Sequence, residues 1–169
     1  MANPASRPSE LYDWGDYEWY AVDASGHVAV FTTAGIGPIP ISVLTARLLA
    51  DSFAEAVWKM PAKGRATMLV SLPTPDDYIH FASRGFFAYD WSDVHRAAWK
   101  THRYEMQSRP DTPIHVSELP EQFQSLLRRT AFVDVSFADS RKIDVVGYFD
   151  CESAAPDEKP SFLKRLFGS

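Results

Sequence analysis

Residues 18–40, EWYAVDASGHVAVFTTAGIGPIP, constrain the fold of this chain more than any other stretch. Trp19, Ala21 and Asp23 alternate with Tyr20 and Val22, and Val28, Val30 and Thr32 alternate against His27, Ala29 and Phe31. Between the two runs, Ala24-Ser25-Gly26 supplies a turn. Alternation of period two on both sides of a Gly-containing connection predicts a β-hairpin. Downstream, Gly35 and Gly37 admit unusual backbone angles while Pro38 and Pro40 stiffen the chain. The hairpin therefore empties into an ordered loop that sets the angle at which the next helix starts.

That helix is predicted over residues 43–60, with Ser42 placed to cap it, Leu44, Leu48, Phe53, Val57 and Trp58 as its apolar positions, and Pro61 at its end. A buried strand is expected over 66–72. A short helix with Asp76 and Asp77 in its first turn is expected over 74–84, and another strand over 86–91. Residues 92–105 fit either a helix capped by Ser92 or a loop leading into a strand near 103–108, and the second is preferred. Ile114 to Val116 reads as a short strand. Ser117 and Pro120 open a helix through Arg129 whose Phe123, Leu126 and Leu127 face inward. Residues 131–138, AFVDVSFA, read as a strand, with 143–149 as its pairing partner across Asp139-Ser140-Arg141. The predicted architecture is a single α+β domain: a mixed, largely antiparallel sheet with two or three helices packed on it. It occupies residues 11–150, after an N-terminal arm (1–10) and before an acidic linker (151–160) and a short amphipathic tail (161–169).

Composition removes several classes of function. A net charge of −5 lacks the clustered Lys and Arg that phosphate-backbone binding requires, so no nucleic-acid partner is expected. Cys151 is the only cysteine, which precludes an intramolecular disulfide and any Cys-based metal site. Its acidic neighbours Asp150 and Glu152 raise a thiol's pKa and disfavour a reactive thiolate. The opening MANPASRPSELYDWGD lacks an apolar signal core, and no apolar run approaches the ~20 residues needed to span a bilayer, so a cytoplasmic location is expected. The AGIGPIP loop precedes a helix but lacks both glycine-rich phosphate-binding patterns, and its prolines remove N–H donors. The histidines lack H-x-x-x-H spacing, and no serine sits in a nucleophile elbow. No metal or cofactor is expected.

Two clusters remain as candidate sites. In FFAYDWSDVHR, Asp90, Asp93, His95 and Arg96 fall within seven positions. An Asp beside a His can fix an imidazole tautomer for general acid–base catalysis, as in a hydrolase, and Asp90 and Asp93 with His95 can hold a metal. Equally, the two acids can cap a turn with Arg96 paired to one of them. The second cluster is the acidic and aromatic front from Tyr12 to Tyr20. Its aromatics offer rigid contact area and its carboxylates suit a basic partner. Trp14, Asp16, Tyr17, Glu18 and Trp19 are the expected contacts, with Asp90, Trp91 and Asp93 as a second patch; the alternative is a strand edge whose aromatics cover the core. In the tail, Phe162, Leu163, Leu166 and Phe167 share one helical face opposite Lys164 and Arg165. That face can fold back on its own domain, dock on a partner or sister subunit as in an adaptor, or touch a membrane surface.

The run WYAVDASGHVAVFTTAG, with GIGPIP after it and GFFAYDWSDVHR downstream, resembles a group of small bacterial proteins associated with toxin systems as immunity and accessory proteins. The likeness covers Tyr12 to Phe149. It implies a single α+β domain that binds and neutralises another protein, and it brings no catalytic residues with it. The expectation is thus a non-enzymatic protein-binding module that occludes a partner surface, with the hydrolase and adaptor readings as alternatives.

Overall fold

The computed structural model describes residues 16–91 and 102–152. Strands β1 (Glu18–Val22) and β2 (Val28–Thr32) form the predicted antiparallel hairpin, in register from Glu18 opposite Thr32 to Val22 opposite Val28. Its turn is built on Asp23, whose Oδ1 accepts the Ser25 and His27 N–H groups at 2.9 Å each, and on Gly26 at φ 83°. Both features are local, which is why the turn is legible in the sequence.

The chain continues through β3 (Ile39–Pro40), α1 (Ile41–Thr45), α2 (Arg47–Lys59), β4 (Ala66–Met68), α3 (Asp76–Ser83) and β5 (Phe87–Trp91). It ends with β6 (Tyr104–Pro110), α4 (Glu121–Arg128), β7 (Lys142–Ile143) and β8 (Cys151–Glu152). The main sheet has six strands in the order β1-β2-β5-β6-β4, and β7 shares the outer edge of β6 with β4. Only β2 and β5 run parallel; the other neighbours are antiparallel. The fold is the expected α+β domain with a mixed, mostly antiparallel sheet. Among the described residues three helices exceed a single short turn or two: α2 with 13 residues, and α3 and α4 with 8 each. No described helix is long and apolar enough to cross a membrane.

Both faces of the central strands are covered. On one face Tyr20 meets Phe53 of α2 and Phe86, with ring centroids 4.8 and 5.8 Å apart, and Phe53 meets Phe123 of α4 at 4.8 Å. On the other, Trp19, Phe31 and Tyr89 stack across three strands at 4.2 and 5.0 Å, capped by Phe132 and Phe137 from the irregular segment after α4. These offset rings add specific contacts to the apolar area they bury.

Several expectations are corrected. Residues 131–138 do not form a strand. Phe132 and Phe137 both enter the core, but their odd spacing would put them on opposite faces of one. The backbone is satisfied instead by isolated bonds: Phe132 N–H to Val22 O at 2.9 Å, Ala24 N–H to Val135 O at 3.0 Å, and Phe137 N–H to Asp23 Oδ2 at 2.8 Å. Ile143 accordingly pairs with Tyr104 of β6, and Val145–Gly147 is a 3₁₀ turn. The helix over 43–60 is two helices broken at Ala46, and Ser42 lies inside the first of them without capping it. The 66–72 strand shrinks to the edge strand β4, which is not buried. Ile114 to Val116 leaves only one bridge, between His115 and His27, before a 3₁₀ turn over Val116–Glu118. Cys151 and Glu152, assigned by composition to the linker, pair with Pro40 and Ile39. The N-terminal arm, Trp14, the segment with Asp93, His95 and Arg96, and the tail with Phe162, Leu163, Leu166 and Phe167 lie outside the described residues.

Candidate functional site

Register brings the two sequence clusters together. Glu18 lies opposite Thr32, Thr32 beside Asp90, and Asp90 opposite Glu105, so one polar row crosses four strands. Residues in such a row point to one face of the sheet. The neighbouring row of Trp19, Phe31 and Tyr89 points to the other. This overturns the surface role expected for Trp19, whose side chain is fully enclosed. Its indole N–H donates to Tyr104 Oη at 3.3 Å, and Tyr104 in turn donates to Pro38 O at 2.9 Å. Asp90 and Trp91 are also buried, so neither offers contact area. Asp90 instead accepts the Thr32 hydroxyl at 2.7 Å. Of the expected contacts, Asp16, Tyr17 and Glu18 remain accessible.

Asp16 ties the hairpin to the loop after β2. Its Oδ1 accepts the Ala34 N–H at 2.7 Å, holding that residue at φ 49°. A non-glycine residue in the left-handed region is held there only by such a constraint. Tyr17 donates its N–H to Thr33 Oγ1 at 2.9 Å and its hydroxyl to Asp51 Oδ1 at 2.9 Å. Loop and α2 thus fix both ends of this residue.

Glu18 is the pivot. Both of its oxygens accept from the Trp58 indole N–H, at 3.1 and 3.0 Å, and Oε2 also accepts the Tyr20 hydroxyl at 3.2 Å. Burial pushes its pKa up against these bonds, and the charges of Asp16 and Asp77 push it further. Burial likewise raises Asp16, with Asp77 adding to it. Among the described residues no lysine or arginine lies within ion-pair distance of Asp16, Glu18 or Asp77. Arg84 spends its guanidinium on the Met60 and His80 carbonyls and the Ser83 hydroxyl.

Trp58 completes the face. Its indole stacks on His80 of α3 at 4.3 Å, meets Phe81 edge-on at 5.1 Å, and remains 38% exposed. Ile79, the residue before His80 in α3, is 41% exposed. Burial and the nearby Arg84 lower the His80 pKa, which favours a neutral imidazole under the indole. Sequence reasoning placed Trp58 in the core. The signal it missed is angular: Phe53 and Val57 are fully buried, and one residue further turns about 100° around the helix, onto the rim.

Asp90 lies beneath Thr32 and Tyr78, and the residues proposed to act with it lie outside the described chain. Burial, with Asp150 and Asp144, pushes the Cys151 thiol up to about 12. The described residues contain no group of three metal-ligating side chains. A polar groove of about 560 Å³ lies over Arg103, Asp134, Ser140, Lys142 and Tyr148, and carries both signs of charge. Comparison with protein families, with curated proteins and with solved structures finds no match to this chain.

Proposed function

We propose that this protein is a non-enzymatic binding module, of the immunity type, that covers a surface of another protein with the face built on Asp16, Tyr17, Glu18, Trp58 and Asp77. One observation carries this reading: Trp58 is held in a single orientation by Glu18 and His80 yet keeps more than a third of its surface in water. A large aromatic fixed before binding loses little entropy when it is covered, which is the property of an interface anchor. The carboxylates around it supply the rim and steer a basic partner. The aromatic part expected of Trp19 thus passes to Trp58, while Asp16, Tyr17 and Glu18 keep their place in the proposal.

The test is affinity capture from host lysate with the full chain and its Trp58→Ala and Asp77→Lys variants in parallel. One stoichiometric partner is expected with the native protein, reduced at least about tenfold by either variant at a temperature where each is folded by circular dichroism. Retention of that partner at native levels by both folded variants, or capture of none by the native protein, would overturn the reading.

A further inference from the structure

We infer that the anchor received by this face is an arginine side chain on a basic polypeptide segment, lying against Trp58 and shared between Glu18 and Asp77. The inference rests on the binding-module reading and names the chemistry of its partner. Its first support is charge. Burial raises the proton affinity of Asp16 and Glu18, the charge of Asp77 adds to both, and no described cation pairs with any of the three. Half-buried Glu18 is held by neutral donors alone, so an incoming cation meets a carboxylate not yet compensated.

The second support is shape. The indole is bonded to Glu18, stacks on His80 one helical turn from Asp77 and stays 38% exposed, so a cation drawn to these acids has an aromatic surface within reach. Arginine fits better than lysine. Its planar guanidinium stacks on a ring, sheds water more readily, and directs several N–H groups outward at once. Lone-pair use at Glu18 defines how it sits. Oε2 already accepts from Trp58 and Tyr20, whereas Oε1 accepts from Trp58 alone. One N–H therefore reaches Oε1 while the others serve Asp77, rather than a two-pronged pair forming on Glu18.

The test follows the side-chain indole resonances of the five tryptophans in a ¹H–¹⁵N spectrum, with that of Trp58 assigned from Trp58→Phe. Blocked hexapeptides alternating serine with arginine, lysine or glutamate are the probes. The arginine peptide is expected to shift the Trp58 resonance saturably, and the lysine peptide to bind about two- to fivefold more weakly. The glutamate peptide should leave it unmoved. Glu18→Gln and Asp77→Asn should each weaken the arginine peptide about two- to fivefold, and in both the undisturbed positions of the other indole resonances certify the fold. No shift of the Trp58 resonance at about 10 mM peptide, well above the weakest affinity expected of such a contact, would overturn the inference. So would equal shifts with all three peptides, or undiminished binding in both variants. Failure here leaves the binding-module reading standing if a captured protein partner still depends on Trp58. Loss of that dependence removes the reading itself.

Discussion

The hydroxyl of Tyr104 sits between two groups that have no water to turn to. It accepts the Trp19 indole N–H at 3.3 Å and donates to the Pro38 carbonyl at 2.9 Å, all three fully or nearly enclosed. Tyr104→Phe leaves a buried donor and a buried acceptor unpaired, and is expected to lower stability by about 1–3 kcal/mol in urea unfolding. Glycines allow a sharper comparison. A Cβ on Gly85 would lie 2.7 Å from the Ile114 backbone nitrogen, at a φ of 98°. On Gly26, at φ 83°, it would instead meet the His115 ring, an exposed side chain able to turn away. Gly85→Ala is therefore expected to lower the thermal midpoint more than Gly26→Ala, the backbone strain alone costing about 1–3 kcal/mol. Glu18 gives a pH-dependent expectation. Its folded pKa lies above the ordinary 4.5, so the folded state binds this proton more tightly than the unfolded state. The stability it contributes is fully present below 4.5 and is lost as pH rises through the folded value. Glu18→Gln keeps an oxygen acceptor for Trp58 without the charge. It is expected to match the native thermal midpoint near pH 4 and exceed it by a few degrees at pH 7. Equal midpoints at both pH values would show that Glu18 is not desolvated.

Elements differ in how openly the sequence announces them. In α4 the buried positions Phe123, Leu126 and Leu127 recur at helical spacing against exposed Glu121, Gln122, Ser125 and Arg128. The apolar stripe alone identifies the helix and its inner face. Leu127→Ala should accordingly cost about 2–5 kcal/mol by chemical denaturation. Leu48 reads equally apolar in sequence but is 88% exposed in α2, and Leu48→Ala should change stability by no more than about 0.5 kcal/mol. What separates the two is angle: Ala50, Phe53 and Val57 mark the buried stripe of α2, and Leu48 lies two residues, about 200°, from Ala50, while the break at Ala46 between α1 and α2 is a further feature the sequence hides. A break of this kind has no glycine or proline to mark it. The segment after α4 shows the reverse failure: its alternation of apolar and polar residues predicts a strand, yet Val133 is 81% exposed while Phe132 and Phe137 are buried. Two aromatic anchors that enter the core from positions of opposite parity outweigh continued pairing with β1, which stops at the single bridge between Val22 and Ala131.

Across the whole molecule, the curled sheet gathers residues from β1, α2 and α3 into one acidic and aromatic face. Residues 18 and 58, far apart in the chain, meet through an indole hydrogen bond, and residue 77 lies near enough for its charge to act on residue 18. A partner held by such a face should associate more slowly in salt, because rim carboxylates act mainly on the approach. Raising salt from about 50 to 500 mM shortens the screening length severalfold. In surface plasmon resonance it is therefore expected to slow association with the captured partner far more than dissociation. A salt-independent association rate would mean that the carboxylates have no part in recognition.

The sequence by itself determined what depends on neighbours in the chain. The Asp23 to Gly26 turn, the hairpin around it, the apolar stripe of α4, the short helix with acids in its first turn and the α+β class all follow from local spacing and turn chemistry. Two of the site residues, Asp16 and Glu18, were legible as charges within an aromatic run. Tertiary structure alone decided which aromatics face water. Alternation reveals the inner face of a strand only when the other face is wet, and here helices cover one side of the hairpin and the segment around Phe132 and Phe137 covers the other. Trp19 and Tyr20 are consequently both enclosed, whereas Trp58, one step past a buried helical position, reaches the surface. The outcome rests on how layers pack, and packing joins residues that no local pattern connects.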